Sequence, residues 1–332
     1  MSNITTVAFV PDGSDRGTIS LIWSCLSTWF ICLWVIFHIN IPAPEDSNLK
    51  RIFRQIGFMA FGALAPEYIA AMAYTQRQEA KKLHAQSQNL IEIIGSTTNS
   101  PVPQRADTDA ENQARQTTAE TFSRKQVKNW TMKHSWYCVM GGFTITPPEA
   151  TKPSVVNGEQ LLWLLERGHI EMPSITVDDI KDKSKSDSLL KIMAILQVLW
   201  FVVQTIARAA QSLPITTLEI TTISYIVCMI PVELLWWSKP YNVSCATPLM
   251  IKSWPPGTRE KLQELSLIEG FSFYRRRDLV DYPRRINFFH MDERWITSSN
   301  DIPNWAVTIG VAVLFGGTHI LGWDFHFPTH LE

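Results

Sequence analysis

The sequence has neither an excess of charge of one sign nor a framework of cysteines. Its 30 Lys and Arg residues are balanced by 31 Asp and Glu residues, so there is no electrostatic basis for binding nucleic acid. Only five cysteines occur in 332 residues. None of them has CxxC spacing, and Cys25, Cys32 and Cys228 lie inside apolar runs. The pattern therefore favours neither a disulfide scaffold nor a zinc site.

Motifs of several common enzyme classes are also missing. The sequence has no P-loop, no GxSxG nucleophile elbow, no HExxH zinc motif and no His-rich desaturase set, which argues against nucleotide hydrolysis, serine hydrolysis and these metalloenzymes. The first sixteen residues are mostly polar and lack the basic start and short apolar core of a signal peptide. The apolar run that follows is therefore predicted to be retained as a membrane span.

Long apolar runs dominate the sequence instead. A transmembrane helix needs about 20 mostly apolar residues, and five stretches meet that length. Several of the 13 Trp residues lie at the ends of these runs, where an amphipathic ring prefers the membrane interface. The predicted fold class is all-α, a multi-pass transmembrane helical bundle with long polar connections, in contact with the lipid bilayer. The predicted spans are roughly Thr18 to Ile39, Ile56 to Tyr74, Leu189 to Ala210, Leu218 to Trp237, and Trp305 to Trp323.

The spans divide the chain into five segments. Within the long connection, Gln160 to Glu166 is predicted as a short amphipathic helix, and Thr176 is predicted to cap a helix with an acidic first turn. The stretch from about Gly95 to Gln126 is polar and is predicted to be a flexible insertion, whereas Trp130 to Ile145 and Val155 to Ile170 are mixed apolar and aromatic. The predicted segments are an N-terminal two-span hairpin (1–74), a polar and amphipathic connection (75–188), a second two-span hairpin (189–237), a basic cytosolic-side segment (238–304), and the last span with the C-terminal end (305–332).

Charge placement predicts an orientation with one unresolved conflict. Lys50, Arg51 and Arg54 place the first connection in the cytosol by the positive-inside rule, so the N-terminus is lumenal, with Asn3 as a glycosylation site. The protein is expected in the endoplasmic reticulum or another endomembrane. However, five simple spans from that start would put the Arg-rich 238–304 segment in the lumen. Either the N-terminal placement is wrong, or a further membrane-crossing or re-entrant element lies between Trp130 and Ile170, and the second explanation is preferred.

Glu67, in the middle of the predicted second span, is the first candidate for chemistry. A charged group at that depth costs several kcal/mol and normally faces a bundle interior. Pro66 precedes it and is expected to kink the helix. A buried carboxyl kept protonated there would act as a general acid on a lipophilic substrate. The alternative is a structural carboxyl that is hydrogen-bonded to a neighbouring helix.

Polar residues also follow one face of the third and fourth spans. In the third span, Gln197, Gln204 and Arg208 recur at helical spacing, and they are predicted, together with Trp200, to contact a substrate. In the fourth span, Glu219 and Glu233 are predicted to assist Glu67. Arg208 and Glu219 are also expected to form an ion pair across the intervening turn, a role that is more often structural.

The remaining polar sets do not predict a metal or a cofactor. His319, Asp324 and His326 lie together near the last span, but their spacing matches no metal signature. Asp178 to Asp182 spells a DDxxD string, but Lys residues follow it, as at an ordinary solvated helix start.

A family resemblance is carried by eight segments of the sequence, namely 29–42, 64–67, 168–173, 180–187, 197–208, 213–214, 236–240 and 316–328. In these segments the chain resembles a large group of fungal multi-pass membrane proteins, and is similar to membrane-bound cyclases of fungal natural-product clusters, including one of the ascofuranone type. The resemblance implies a multi-pass membrane protein of secondary metabolism and brings no catalytic motif with it. Members of the group continue past residues 323–328 with further spans, so we expect this chain to be a short form or a truncated gene model.

The leading functional hypothesis is an intramembrane acid–base cyclase or isomerase of a terpenoid or meroterpenoid, with Glu67 as the acid. It depends on carboxyl groups within apolar, aromatic-rich spans, where rings stabilise a developing carbocation. The rival is a non-enzymatic membrane protein, such as a transporter accessory, a scaffold or a receptor, in which the same carboxyl groups only hold helices together.

Overall fold

The computed structural model describes residues 17–42, 47–97, 130–184, 188–213, 215–267 and 304–320. Within these ranges the chain is mainly helical, with one small three-stranded sheet, so the prediction of an all-α class was too simple. The helices are α1 Thr18–Ile36, α2 Asn48–Leu64, α3 Pro66–Thr97, α4 Met132–Val139, α5 Gly158–Glu166, α6 Val177–Asp182, α7 Ser188–Ala210, α8 Thr217–Trp236, α9 Thr258–Leu267 and α10 Asn304–Ile320. The strands are β1 Phe143–Ile145, β2 Ser154–Val155 and β3 Thr247–Pro248.

Three helices are long and apolar enough to cross a membrane, namely Thr18–Ile36, Lys191–Ala210 and Thr217–Trp236. They correspond to the first, third and fourth predicted spans. The fifth prediction corresponds to the shorter α10. Polar Ser and Thr side chains within the apolar helices bond to backbone carbonyls of the preceding turn, as Thr28 does to Ser24 at 2.8 Å. Their hydroxyl groups are thus satisfied without water.

The second predicted span is not a single helix. α2 ends at Leu64, α3 begins at Pro66, and the two axes are bent by 114°. Proline has no N–H to donate, and its ring disfavours helical backbone at the preceding residue, here Ala65. The described part of the chain contains three candidate spans, or four if this bent pair is counted as one span.

Packing places α1 between α7 and α8. α1 contacts both α7 and α8, while α8 also packs against α3 and α10. The outer face of α7 is exposed and apolar, with Leu196 and Val203 both more than half exposed. The two helices of the predicted 189–237 hairpin therefore share α1 between them.

The two long connections fold together as one unit, which we call the capping unit (residues 130–182 and 238–267). β1 pairs with β2 in antiparallel orientation and with β3 in parallel orientation, so residues that follow α8 extend the sheet begun before α7. A shared hydrophobic core lies beneath the sheet. A further membrane-crossing or re-entrant element was predicted between Trp130 and Ile170, but within 130–182 the structure shows no helix of membrane-spanning length. The core includes Tyr137, Phe143, Leu161, Leu164, Val243, Leu249 and Leu262.

The capping unit lies at one end of the bundle. Just after α1, the Ile41 N–H donates to the Met140 carbonyl at 2.9 Å. At the opposite end lie the α7–α8 turn and the end of α10, where His319 contacts the Thr221 hydroxyl at 3.3 Å. We call these the capped end and the open end of the bundle.

Candidate functional site

Glu67 lies in the first turn of α3, directly after the break between α2 and α3. Its side chain is half-buried, and its carboxyl group is close enough to Tyr225 and Cys228 of α8 to act on both electrostatically. The break therefore places a carboxyl group inside the bundle, beside α8.

Two further aromatic rings pack against Tyr225, the residue on which Glu67 acts. The Tyr225 ring meets the edges of Trp29 and Phe315 at centroid distances of 5.7 and 5.2 Å. The Trp29 Nε1 is buried and has no hydrogen-bond partner, although such a group normally finds one. We call Glu67, Trp29, Tyr225 and Phe315 the aromatic centre. It combines a carboxyl group, an N–H donor without a partner and π faces that attract a cation.

Glu219, the second predicted catalytic residue, is engaged in structural contacts. It is 1 % exposed, and its Oε2 accepts hydrogen bonds from the backbone N–H and the hydroxyl of Thr216, both at 2.9 Å. This capping box begins α8. Its Oε1 lies 4.0 Å from Arg208 Nε, which confirms the ion pair predicted across the turn.

Replacing Glu219 with alanine should lower the free energy of unfolding by about 2 kcal/mol, because the substitution removes a helix cap and the partner of a largely buried guanidinium. Thermal unfolding in detergent micelles measures this change. The control is Glu264→Ala, which removes only an exposed pair with Lys261 on α9 and should cost less than about 0.5 kcal/mol. Equal shifts for the two variants would contradict the assigned role of Glu219.

Glu233, the third predicted carboxyl group, belongs to a different cluster at the capped end. Lys191 Nζ lies 3.5 Å from Glu233 Oε1 and 3.1 Å from His38 Nε2. His38 is fully buried, and its Nδ1 donates to the Ile36 carbonyl at 2.8 Å, so Nε2 accepts from Lys191. Burial, reinforced by the charge of Lys191, lowers the pKa of His38 to about 3. The histidine is therefore neutral at pH 7.

Lys239 completes this cluster and is 3 % exposed. Its Nζ donates to Asn40 Oδ1 at 3.0 Å and to Gln76 Oε1 at 2.8 Å, and it lies 4.9 Å above the Trp236 ring. Burial lowers the pKa of Lys239 to about 7, opposed by the charge of Glu79. We call His38, Asn40, Gln76, Lys191, Glu233 and Lys239 the junction cluster, since it joins α1, α3, α7 and α8 at the capped end.

Sequence reasoning missed most of the junction cluster. His38, Asn40 and Lys239 each follow an apolar run by a few residues, a place where polar side chains are ordinary. Burial at that position gives them their importance, and burial depends on the capping unit. One indication of the cluster is visible in the sequence, namely that polar residues follow directly after two apolar helices: His38 and Asn40 after α1, and Lys239 after α8.

The predicted substrate-binding residues do not form one group. Gln197 Nε2 donates to Thr28 Oγ1 at 3.0 Å and so ties α7 to α1. Gln204 is half-buried on the same side of α7. Trp200 is 65 % exposed on the outer face, so it does not share the inner face with the others.

Several other candidates lie outside the described residues, namely Asn3, Asp324 and His326. His319 is described, and its Nδ1 contacts the Phe315 carbonyl at 2.7 Å. Within the described ranges, His, Cys, Asp and Glu residues form no group of three or more suited to hold a metal ion.

Comparison with known proteins gives one match. A model of a family of unknown function, DUF8562, matches residues 1–265. Neither a curated protein nor a solved structure matches the chain. The resemblance to fungal membrane-bound cyclases stays a prediction, since this match concerns neither source nor activity.

Proposed function

We propose that this chain, which belongs to the DUF8562 family, is an integral membrane enzyme that cyclises or isomerises a lipophilic terpenoid or meroterpenoid by acid–base chemistry. Membrane insertion is supported by the three long apolar helices and by the exposed apolar face of α7. In water such a face would carry a large hydrophobic penalty. The expected setting is an endomembrane, with Asn3 glycosylated on the lumenal side.

The aromatic centre is the observation that carries the enzymatic part. A half-buried carboxyl group lies directly after the break in the helix and acts on Tyr225. The Tyr225 ring contacts Phe315 and Trp29, and the Trp29 N–H is buried without a partner. Broken helices inside a membrane bundle are typical of sites that bind small molecules. An apolar substrate with one alkene or epoxide would lie against the rings and present its basic atom to the acid.

The proposed reaction needs no cofactor. Protonated Glu67 transfers its proton to an alkene carbon or an epoxide oxygen, and a carbocation develops that the rings of Trp29, Tyr225 and Phe315 stabilise. Attack by a second double bond closes a ring, and loss of a proton to the Glu67 carboxylate forms the product alkene. The proton gained at the start is returned at the end, so substrate and product are isomers.

Glu219 and Glu233 have no place in this reaction. Glu219 is held in the helix cap, and Glu233 lies eight residues along α8 from Tyr225, about 12 Å at helical rise. In the proposed reaction, Glu67 therefore carries out both proton transfers.

The second candidate is a non-enzymatic scaffold or receptor, and the junction cluster favours it. At the capped end, Lys239 and Trp236 both donate hydrogen bonds to Gln76. These bonds fix the capping unit on the bundle. A protein that presents its capping unit to a partner would need this rigidity and no turnover.

One experiment separates the two candidates. The chain is expressed in yeast microsomes, a panel of prenylated aromatic epoxides is supplied, and products are analysed by mass spectrometry against microsomes without the protein. A new product with the mass of its substrate supports the enzyme. No turnover by a folded, membrane-inserted protein across the panel favours the scaffold.

A further inference from the structure

We infer that α2 and the start of α3 form a re-entrant element, which enters and leaves the membrane at the capped end, with the exposed apolar strip of α2 seated in the lipid leaflet there. This inference rests on the proposed membrane insertion and not on catalysis. Three independent observations support it, namely the position of each end, the bend, and the surface of α2.

The beginning of α2 is tied to the capped end by chain length. Ile41 bonds to Met140 of the capping unit, and Ser47, directly before α2, is six residues further on. Six residues reach at most about 20 Å, whereas the hydrocarbon core is about 30 Å thick. α2 therefore does not begin at the open end.

α3 returns to the capped end. Gln76 accepts hydrogen bonds from Lys239 and Trp236, and further along the helix Gln88 donates to the Trp130 carbonyl of the capping unit at 2.6 Å. From Pro66 to Gln76 a helix rises about 15 Å. The break thus lies roughly halfway into the hydrocarbon core, which is about 30 Å thick.

Because of the bend, α2 and α3 run in opposite directions along the bundle. A turn of 114° between the axes exceeds a right angle, so α2 descends as α3 ascends. A helix of 17 residues is about 25 Å long, and at this angle about 10 Å of it runs along the α3 axis. In agreement, Gly62 of α2 lies against Phe37 at the end of α1, with no space for a side chain.

The surface of α2 fits a lipid leaflet. Leu49, Ile52, Phe53 and Ile56 recur at helical spacing and are between 47 % and 70 % exposed. Phe58 and Met59 are instead buried against the bundle. Arg51 and Arg54 occupy the same helix. An amphipathic helix of this kind lies with its apolar strip among acyl chains and its cations near phosphates.

The re-entrant element also removes the conflict in orientation. α1, α7 and α8 then cross the membrane three times, so the N-terminus and the capping unit lie on opposite sides. The basic residues of α2 and those of the described segment 238–267 lie on one side, as the positive-inside rule requires.

Labelling of single cysteines tests the placement in sealed microsomes. The reporters are Ser47→Cys before α2, Lys81→Cys on α3 and Gln211→Cys at the open end, each combined with Cys245→Ser. Cys245, the exposed native thiol of the capping unit, is the reference in the unmodified chain. A membrane-impermeant maleimide is added before and after permeabilisation.

We expect Ser47→Cys and Lys81→Cys to react under the same condition as Cys245, and Gln211→Cys under the opposite one. If Ser47→Cys instead behaves like Gln211→Cys while Lys81→Cys behaves like Cys245, the bent pair is one full span and the inference is wrong. Turnover has no part in this readout, so a failed enzyme proposal leaves it intact.

A spin label tests the leaflet contact separately. A nitroxide on Phe53→Cys should be relaxed by oxygen, which concentrates among acyl chains, and protected from a water-soluble nickel chelate. The control is Gln86→Cys, on an exposed position of α3 beyond Gln76, which should show the reverse. Strong relaxation of the Phe53 label by the nickel chelate would overturn the lipid contact.

Discussion

Replacing Glu67 with glutamine should lower the rate of product formation by about 10²- to 10⁴-fold, the usual contribution of a positioned general acid. Glutamine keeps the size and hydrogen-bonding capacity of the side chain but has no acidic proton to transfer. Initial rates in microsomes, normalised to the amount of folded protein, measure the effect. A loss in kcat with little change in KM is expected, because the apolar contacts that bind the substrate remain.

Glu233→Gln is the matched control, since Glu233 is a half-buried carboxyl group in α8 that belongs to the junction cluster. Its turnover should stay within a few-fold of wild type. If Glu233→Gln removes turnover and Glu67→Gln does not, the acid lies at the capped end and the assignment to the aromatic centre is wrong.

The thermal stability of the wild-type protein should increase as the pH rises from about 7 to 9.5, and Lys239 is the cause. In the folded protein the pKa of Lys239 is lowered from 10.5 to about 7. Between these values the unfolded chain holds a proton on this amine and the folded chain does not, so stability rises with pH. Below pH 7 both states are protonated, and the full cost of a buried ammonium group opposes folding.

Neither His38 nor the hydrogen-bond partners of Lys239 change charge between pH 7 and 9.5. His38 is neutral above pH 7, since its pKa is lowered to about 3, and it makes stability fall only as the pH drops from 6.5. Asn40 and Gln76, which accept hydrogen bonds from Lys239, do not titrate. The increase in stability between pH 7 and 9.5 is therefore assigned to the Lys239 amine.

Lys239→Met should remove this increase, because methionine fills a similar volume and carries no charge. Unfolding curves in detergent at pH 7 and 9.5 compare the two proteins. Lys252→Met is the control, since Lys252 is exposed and pairs with Glu171 at the surface, and it should keep the wild-type difference. Identical pH dependence in wild type and Lys239→Met would mean that the amine does not titrate in this range.

The elements that local pattern controls were predictable from the amino-acid sequence. The runs that became α1, α7 and α8 are apolar over about 20 residues, and this length alone predicts a spanning helix. Thr176 with Asp179 predicted the start of α6, and the run from Gln160 to Glu166 predicted a short helix that the structure begins two residues earlier, because capping and amphipathic spacing act within a few residues. The pairing of Arg208 with Glu219 was also predictable, since a short turn joins their helices.

The capping unit, the junction cluster and the course of α2 depend on contacts between segments that are distant in the sequence. β1 and β3 come from opposite sides of two apolar helices, and no local signal gives their parallel pairing. Lys239 reads as an ordinary lysine after a span until Asn40, Gln76 and the capping unit enclose it. Pro66 predicted a kink, whereas the 114° reversal depends on the packing of α2 against Phe37 and of α3 against α8. Contacts between distant segments determine which residues are buried and in which direction α2 runs. Apolar periodicity does not predict such contacts.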